Sequence, residues 1–513
     1  MSEYIDVEKP LLAQLVGLGW ETIDQGEGAP TDPSLSLRNS FTQHFLPEVL
    51  RAAIERLNPW LTAAQVDQWF DKASYLLPEK GLMERHETAY RWLTSNERVD
   101  MDEVTREYKV VRLIDFDEPT NNTYHAINQF KIDLPGQLKG IRPDTVLFIN
   151  GLAVVVIEAK HPTACESPVD EGIEQILRYS NQRGSKTKEG CESLFVFNAL
   201  NISTCREQAR YGAVCATSRH YYTWRDPFPH EVGKLNQQEI LILSTCEPKR
   251  LLDLIENFSA IVEEDGFKYK VVARYQQYRT VIKQIARLRG TRGKGRNGTV
   301  WHTTGSGKSI TMMFLVRKLR RTADLKDFKV ILVVDRIDLE RQLKDTAKLA
   351  HETITRIENR NELNNLKTQT ANLNIVMVHK FIEASSQTKN QLLAGAVPFV
   401  VPQEILNTSD RILVMVDEAH RSQGGDMGDN LLNSFPNAVL VGFTGTPLLK
   451  DEKKTSSRFG EYIDIYTPKE SIEDGTTVPL RYLGKTVSTA ISKRQSLTRE
   501  FENLVSGVSE DEK

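Results

Sequence analysis

The sequence predicts an α/β protein: a mixed domain with a buried β-hairpin comes first, and a parallel sheet covered by helices follows. Two apolar runs separated by Asn150-Gly151 predict the hairpin, because that dipeptide accepts the positive φ angles of a two-residue turn. Short β-branched runs at 299–302, 330–334, 375–378, 412–416 and 439–443 alternate with helical patterns. Runs of that kind are buried on both faces, as in a parallel sheet. At 513 residues the chain exceeds one core, and about 100–200 residues per domain suggests three or so units.

Taken in order, residues 1–110 read as mostly helical. The stretches 48–58 and 62–77 place apolar residues three and four apart. From about residue 104 the pattern turns to strands, through "EYKVVRLIDF", "TYHAINQFKIDL" and the hairpin itself. A helix is expected over 170–180 and a strand over "LFVFNAL" at 194–200. Composition shifts near 247–275, where the boundary between the two sheets is expected, and the parallel-sheet rhythm begins beyond it. The last stretch, 471–513, grows polar.

Bulk properties narrow the function classes. A net charge of -3 exerts no global pull on nucleic acid, so any such contact must be local. The start, MSEYIDVEKP, lacks a basic segment leading into an apolar one, and no run reaches membrane-span length. Five cysteines without a C-x-x-C pair suit reduced thiols better than disulfides or zinc. A cytoplasmic location is therefore expected.

Two constellations carry chemistry. His302-Thr303-Thr304-Gly305-Ser306-Gly307-Lys308-Ser309 follows a strand pattern and opens a helical one. Gly305 and Gly307 let backbone N–H groups approach phosphate oxygens, and the helix N-terminus adds positive potential. Lys308 would reach the β- and γ-phosphates of ATP, and the Ser309 hydroxyl would coordinate Mg²⁺. His302 stands where the strict G-x-x-x-x-G-K-[ST] pattern has glycine, so only the shorter G-x-G-K-[ST] core is met. About 110 residues later, "ILVMVDEAH" places Asp417 and Glu418 at a strand's carboxyl end. Asp417 could share the Mg²⁺, Glu418 could orient or deprotonate the attacking water, and His420 could report nucleotide state.

The second constellation flanks the hairpin. Asp144 precedes it, and Glu158 and Lys160 end its second strand on one face of the sheet. Closing the hairpin would return Asp144 to that end. Two carboxylates and an ammonium there could hold divalent metal and stabilise charge on a phosphate under attack.

Residues 303–309, "VVDRIDLERQL", "DEAHRSQGG" and "GFTGTPLL" resemble, in order and spacing, the first motor lobe of superfamily 2 helicases. "WHTTGSGKS", "DEAHRSQ" and "RPDTVLFINGLAVVVIEAK" together resemble the type I restriction enzyme R (motor and cleavage) subunits. The resemblance implies a restriction-endonuclease-like α/β nuclease domain (1–255, core about 80–225) and a RecA-like P-loop lobe (256–470). Residues 471–513 would begin a connection to a second lobe. It further implies ATP and Mg²⁺ as cofactors, ATP-driven movement along double-stranded DNA with endonucleolytic cleavage, and modification (M) and specificity (S) subunits as partners. By the same resemblance Thr444-Gly445-Thr446 would couple ATP to DNA movement, and Gln276 in "RYQQY" would read adenine unless it is a solvated helical residue. Gln175 and Tyr179 match a Q-x-x-x-Y element of some such nucleases, and Glu84 or Glu87 would supply a further acid from a preceding helix. Because the family's motors complete their ATP site with arginines from the second lobe, this chain alone is expected to hydrolyse ATP poorly.

Lys283, Arg287, Arg289, Arg292, Lys294 and Arg296 form a basic run that could neutralise backbone phosphates or be merely a solvated loop. Two other readings stay open: a non-catalytic remnant that docks on DNA or partners, and a repair-type helicase fragment behind an unrelated N-terminal domain.

Overall fold

In the computed structural model two β-sheets, six- and seven-stranded, organise the chain. The structure describes residues 2–334 except 96, 138, 186, 265 and 292, and then 354–357, 360–368, 370–377, 405–419, 433–446 and 459–479. The described residues up to 476 lie within one compact unit. Among the described residues no helix is long and apolar enough to cross a membrane.

The first sheet is mixed. Its strands, in chain order, are β1 (Glu21–Ile23), then, after a separate two-stranded ribbon of β2 (Val99–Met101) and β3 (Tyr108–Val110), β4 (Tyr124–Asn128), β5 (Thr145–Ile149), β6 (Leu152–Ala159), β7 (Leu200–Thr204) and β8 (Ala209–Gly212). The spatial order is β1-β4-β5-β6-β7-β8, with β1–β4 and β6–β7 parallel. Every residue of β5 and β6 is buried, which is why their sequences run apolar without alternation. Helices α1 (Lys9–Gly17), α2 (Pro47–Leu57), α3 (Ala63–Ser74), α4 (Leu82–Thr94) and α5 (Pro168–Tyr179) belong to this half. Asn150 and Gly151 both take positive φ, 52° and 81°, as the hairpin reading requires. A Cβ at Gly151 would lie 2.6 Å from Leu46 O, so the turn also needs glycine to pack on the start of α2.

Two expectations are corrected here. The run 194–200 is not a strand: a 3-10 turn at Glu192–Phe195 precedes β7, which begins only at Leu200. The N-terminal region also contributes a strand, β1, whose three residues are too few to show a period.

Helices α6 (Gln237–Cys246) and α7 (Pro248–Asn257) and the hairpin β9 (Ser259–Glu264)–β10 (Phe267–Val272) lead into α8 (Tyr275–Gly290). The second sheet follows: β11 (Gly298–His302), then α9 (Lys308–Arg321), β12 (Lys329–Val334), β13 (Ile354–Ile357), β14 (Leu373–Met377), β15 (Ile412–Val416), β16 (Val439–Thr444), β17 (Tyr462–Tyr466) and the short α10 (Pro468–Glu473). Its order is β13-β14-β12-β15-β16-β11-β17 and all its pairings are parallel, as the sequence predicts. All carboxyl ends therefore share one edge, where such sheets collect ligands. Arg292, His420 and the residues 421–425 after it, the part of "VVDRIDLERQL" beyond Val334, the residues after Thr446 in "GFTGTPLL", and 480–513 lie outside the described residues.

Candidate functional site

The hairpin register sets Thr145 opposite Ile157, so the preceding Asp144 meets the end of β6. Asp144 Oδ2 accepts a hydrogen bond from Ala159 N at 2.8 Å. Lys160 Nζ donates to Glu158 Oε1 at 2.8 Å and lies 3.7 Å from Asp144 Oδ2. Asp144, Glu158 and Lys160 thus converge, and all three are buried. On α5, Gln175 Nε2 donates to the Tyr179 hydroxyl at 2.6 Å, which donates to Arg142 O at 3.1 Å. That chain holds the Arg142-Pro143-Asp144 turn. Gly172 lets α5 approach: a Cβ there would lie 2.3 Å from Ser203 Oγ and 3.5 Å from Glu158 Cγ.

The further acid does not come from α4. Glu84 pairs with Lys80 and Glu87 with Lys268. Instead the N-terminal helical segment supplies Glu3 and Glu8, and one carboxylate oxygen from each of Glu3, Glu8 and Asp144 lies within 4.8 Å of the others. Gln129, just past β4, donates Nε2 to both Glu8 oxygens at 3.1 and 3.0 Å and sits 3.5 Å from Asp144 Oδ1. The sequence offered little signal for these acids: Pro10 stands in the first turn of α1, but the helical run already spans Tyr4–Glu8 before it.

The electrostatics of this cluster are short of positive charge. Burial, then the neighbouring Asp144, raises the Glu8 carboxyl to about 7. Burial lifts Asp144 against the pull of Lys160, and burial together with Asp144 lifts Glu158 well above its ordinary value. Lys160 is held above its ordinary value by Glu158 and Asp144 although burial opposes it. Glu158 Oε2 is buried with no hydrogen-bond partner among the described residues. Several raised carboxylates around one ammonium, with an orphaned carboxylate oxygen, fit a divalent cation held by oxygen ligands.

The second site lies where β11 turns into α9. Gly305 and Gly307 adopt φ of 83° and 84°, which few other residues tolerate. Lys308 Nζ reaches back to His302 O at 3.4 Å. Gly445, just past β16, is pressed on the loop: a Cβ there would stand 2.8 Å from Thr304 Oγ1 and 3.1 Å from Lys308 Nζ. Asp417 and Glu418 follow β15, two strands from β11 on the same edge, and Glu418 takes a left-handed φ of 46°. Ser306 Oγ is buried without a partner among the described residues, in a loop whose glycines leave room for phosphate oxygens. Thr304 is exposed and Ser309 half-buried.

Gln276 makes no hydrogen bond to this loop among the described residues. Its carboxamide is buried and both its polar atoms lack partners among the described residues. The neighbour, Gln277, does the contacting: Nε2 donates to Gly307 O at 3.2 Å and Ser306 O at 3.4 Å, while Oε1 accepts from Arg274 N. Much of the basic run is also committed internally. Lys283 pairs with Asp464, Arg287 with Glu461, Arg289 with Asp324 and Arg296 with Asp410.

Comparison with known proteins matches this layout. Residues 1–220 match the family model for the type I restriction enzyme R protein N terminus, and residues 276–513 that of the SWI2/SNF2 ATPase. The chain is 31% identical over 505 residues to the type I restriction enzyme HindI endonuclease subunit of Haemophilus influenzae, covering 93% of this chain and 46% of that protein. It is 25% identical over 540 residues to the putative type I restriction enzyme MjaIXP endonuclease subunit of Methanocaldococcus jannaschii, covering 100% of this chain and 49% of that protein. The chain thus spans about half the length of these relatives.

Proposed function

Because the chain belongs to the type I restriction enzyme R protein family, we propose that it supplies metal-dependent endonucleolytic cleavage of DNA and the ATP-binding lobe of a double-stranded DNA translocase. The observation that carries the reading is the convergence of Asp144, Glu158, Lys160 and Glu8 in the same compact unit as a phosphate-binding loop. Modification and specificity subunits are the proposed partners, since the relatives are named as endonuclease subunits of type I restriction enzymes.

Asp144 and Glu158, with Glu8 and Glu3, would hold Mg²⁺. Bound there, the metal would supply a more acidic water and charge stabilisation on the scissile phosphate. Lys160 would offer its ammonium to a non-bridging phosphate oxygen, oriented by Glu158 and the Ala159 carbonyl. Gln175 and Tyr179 act one step away, fixing the backbone before Asp144. At the second site Thr304–Ser309 would enclose the ATP phosphates, with Lys308 against the β- and γ-phosphates. Ser309 and Asp417 would hold Mg²⁺, Glu418 would orient water, and Gln277 would brace the loop from α8.

Mg²⁺-dependent cleavage of plasmid DNA, with and without the M and S subunits, tests this. Asp144→Ala should abolish cleavage while sparing nucleotide binding, and Lys308→Ala should abolish nucleotide binding. If neither variant changes its activity, the assignment of both sites fails.

A further inference from the structure

Continuing the strand registers by one residue sets Gln129, Asp144 and Glu158 in a row across β4, β5 and β6. Gln129 is the member of that row to which no task has yet fallen. It is 5% exposed and takes a left-handed φ of 48°, a conformation uncommon outside glycine. Its N–H and that of Phe130 both donate to the segment before β5, at Asp144 O (2.8 Å) and Pro143 O (2.9 Å). Adjacent amides do not face the same neighbour in a regular antiparallel ladder, so the chain is irregular here. Strained, irregular strand ends gather beside functional sites, where they re-aim a side chain.

The carboxamide is engaged at one end only. Nε2 donates to Glu8 Oε1 at 3.1 Å and Oε2 at 3.0 Å and lies 3.5 Å from Asp144 Oδ1. Oε1 is buried with no hydrogen-bond partner among the described residues. A buried amide that serves packing alone satisfies both of its ends, because an unmade bond there is costly. Here the donor end faces two acids and sets where the group lies. Glu8 and Asp144 offer oxygens within 4.8 Å of each other, and as carboxylates they would repel without a cation between them. An NH₂ group offsets part of that repulsion. Unlike the Lys160 ammonium, it adds no full charge that would oppose an incoming metal.

We propose that Gln129 is a positioning residue of the nuclease site, holding the Glu8 carboxylate beside Asp144 so that a divalent cation meets preformed oxygen ligands. The inference rests on the reading of this cluster as a metal site. Gln129 acts through Glu8, and residues that orient a metal ligand in this way commonly contribute about 10–100-fold to metal affinity.

The test titrates Mn²⁺ into the full chain by calorimetry and follows the binding that Asp144→Ala removes. Gln129→Met keeps the length of the side chain and loses the donor. It should raise the Asp144-dependent dissociation constant about tenfold or more. Gln129→Asn keeps the amide but shortens its reach, so it should weaken binding too, and it carries the test if the methionine variant folds poorly. In a Glu8→Gln background, Gln129→Met should change the constant by less than about threefold, because the carboxylate through which it acts is gone. Mn²⁺ affinity within about twofold of wild type in the folded Gln129 variants overturns the proposal, even if urea melts show them less stable. So do losses that add in full in the double variant, which would mean that Gln129 does not act through Glu8. Equal Mn²⁺ binding by wild type and Asp144→Ala is a different failure: the cluster would then be no metal site, and the reading of it falls together with the inference.

Discussion

Lys160 Nζ sits 2.8 Å from Glu158 Oε1 and 3.7 Å from Asp144 Oδ2, so one ammonium stands among carboxylates that would hold a metal. It partly neutralises them and also repels an incoming cation. Lys160→Met should therefore separate binding from catalysis. Divalent affinity, read by titration with Ca²⁺, should tighten by about tenfold, while cleavage falls by about 100-fold or more. Without metal the variant should lose about 3–5 kcal/mol of stability, less whatever proton uptake by Glu158 recovers. Cleavage within about threefold of wild type would remove Lys160 from the catalytic set.

Gln276 and Gln277 adjoin in sequence but differ in what they touch. Gln277 bonds the Ser306 and Gly307 carbonyls, so Gln277→Ala frees the loop and should raise the nucleotide dissociation constant by about tenfold. Gln276→Leu replaces a buried amide with no partner among the described residues and should leave stability unchanged or higher. Fluorescent-nucleotide binding and urea melts of both variants decide it. A larger binding loss in Gln276→Leu would reverse the assignment.

What the sequence revealed depended on distance along the chain. The hairpin acids were legible because a two-residue turn returns one strand onto the other, so Asp144 and Glu158 meet through local geometry. Glu8 was not, because parallel pairing of β1 with β4 brings its helix to Gln129 across more than 100 residues. The contact of Gln277 with the phosphate-binding loop was not legible because it depends on where α8 starts. Arg274 caps it, and the N3 side chain folds back to the loop. The basic run seemed available for phosphates because its acids, Asp324, Asp410, Glu461 and Asp464, arrive from elsewhere in the chain. "LFVFNAL" has strand composition, yet its burial comes from a turn packed in the core.

Lys270 on β10 gives a pH signature separate from both sites. Its side chain is 6% exposed, donates to Asn198 O at 2.8 Å, and is pushed down to about 7 by burial. Its charge in turn adds to the burial that depresses His86. Between about 7 and the ordinary lysine value the unfolded chain takes up a proton that the folded one refuses, so stability from this group rises with pH. The slope approaches about 1.4 kcal/mol per pH unit. Lys270→Met should erase that slope and be the more stable form at pH 7 and below. Parallel stability–pH curves for the two proteins, from urea melts between pH 6 and pH 10, would contradict it.

Asp464 on β17 joins parts of the chain far apart in sequence. It is 2% exposed and accepts from Arg279 Nε at 2.6 Å and Nη2 at 2.9 Å, from Lys283 Nζ at 2.9 Å, and from His302 Nε2 at 2.9 Å. Arg279 Nη1 also meets Asp226 Oδ2 at 2.5 Å, before the second sheet begins. Despite burial, His302 and Arg279 hold the Asp464 carboxyl well below the usual carboxylate range. Its contribution is present above the unfolded aspartate value and is lost only as pH falls through the depressed folded one, so neutral pH shows all of it. Asp464→Asn should cost about 3–5 kcal/mol there, because Arg279 and Lys283 lose their shared buried counter-charge. Pairing it with Arg279→Met should return part of that loss, since the stranded guanidinium goes too. His302 O is also what Lys308 Nζ reaches at 3.4 Å, so Asp464→Asn should weaken nucleotide binding as well. Urea melts and nucleotide titration of the single and double variants measure both effects. A single variant within about 1 kcal/mol of wild type would show that the network carries little of the stability.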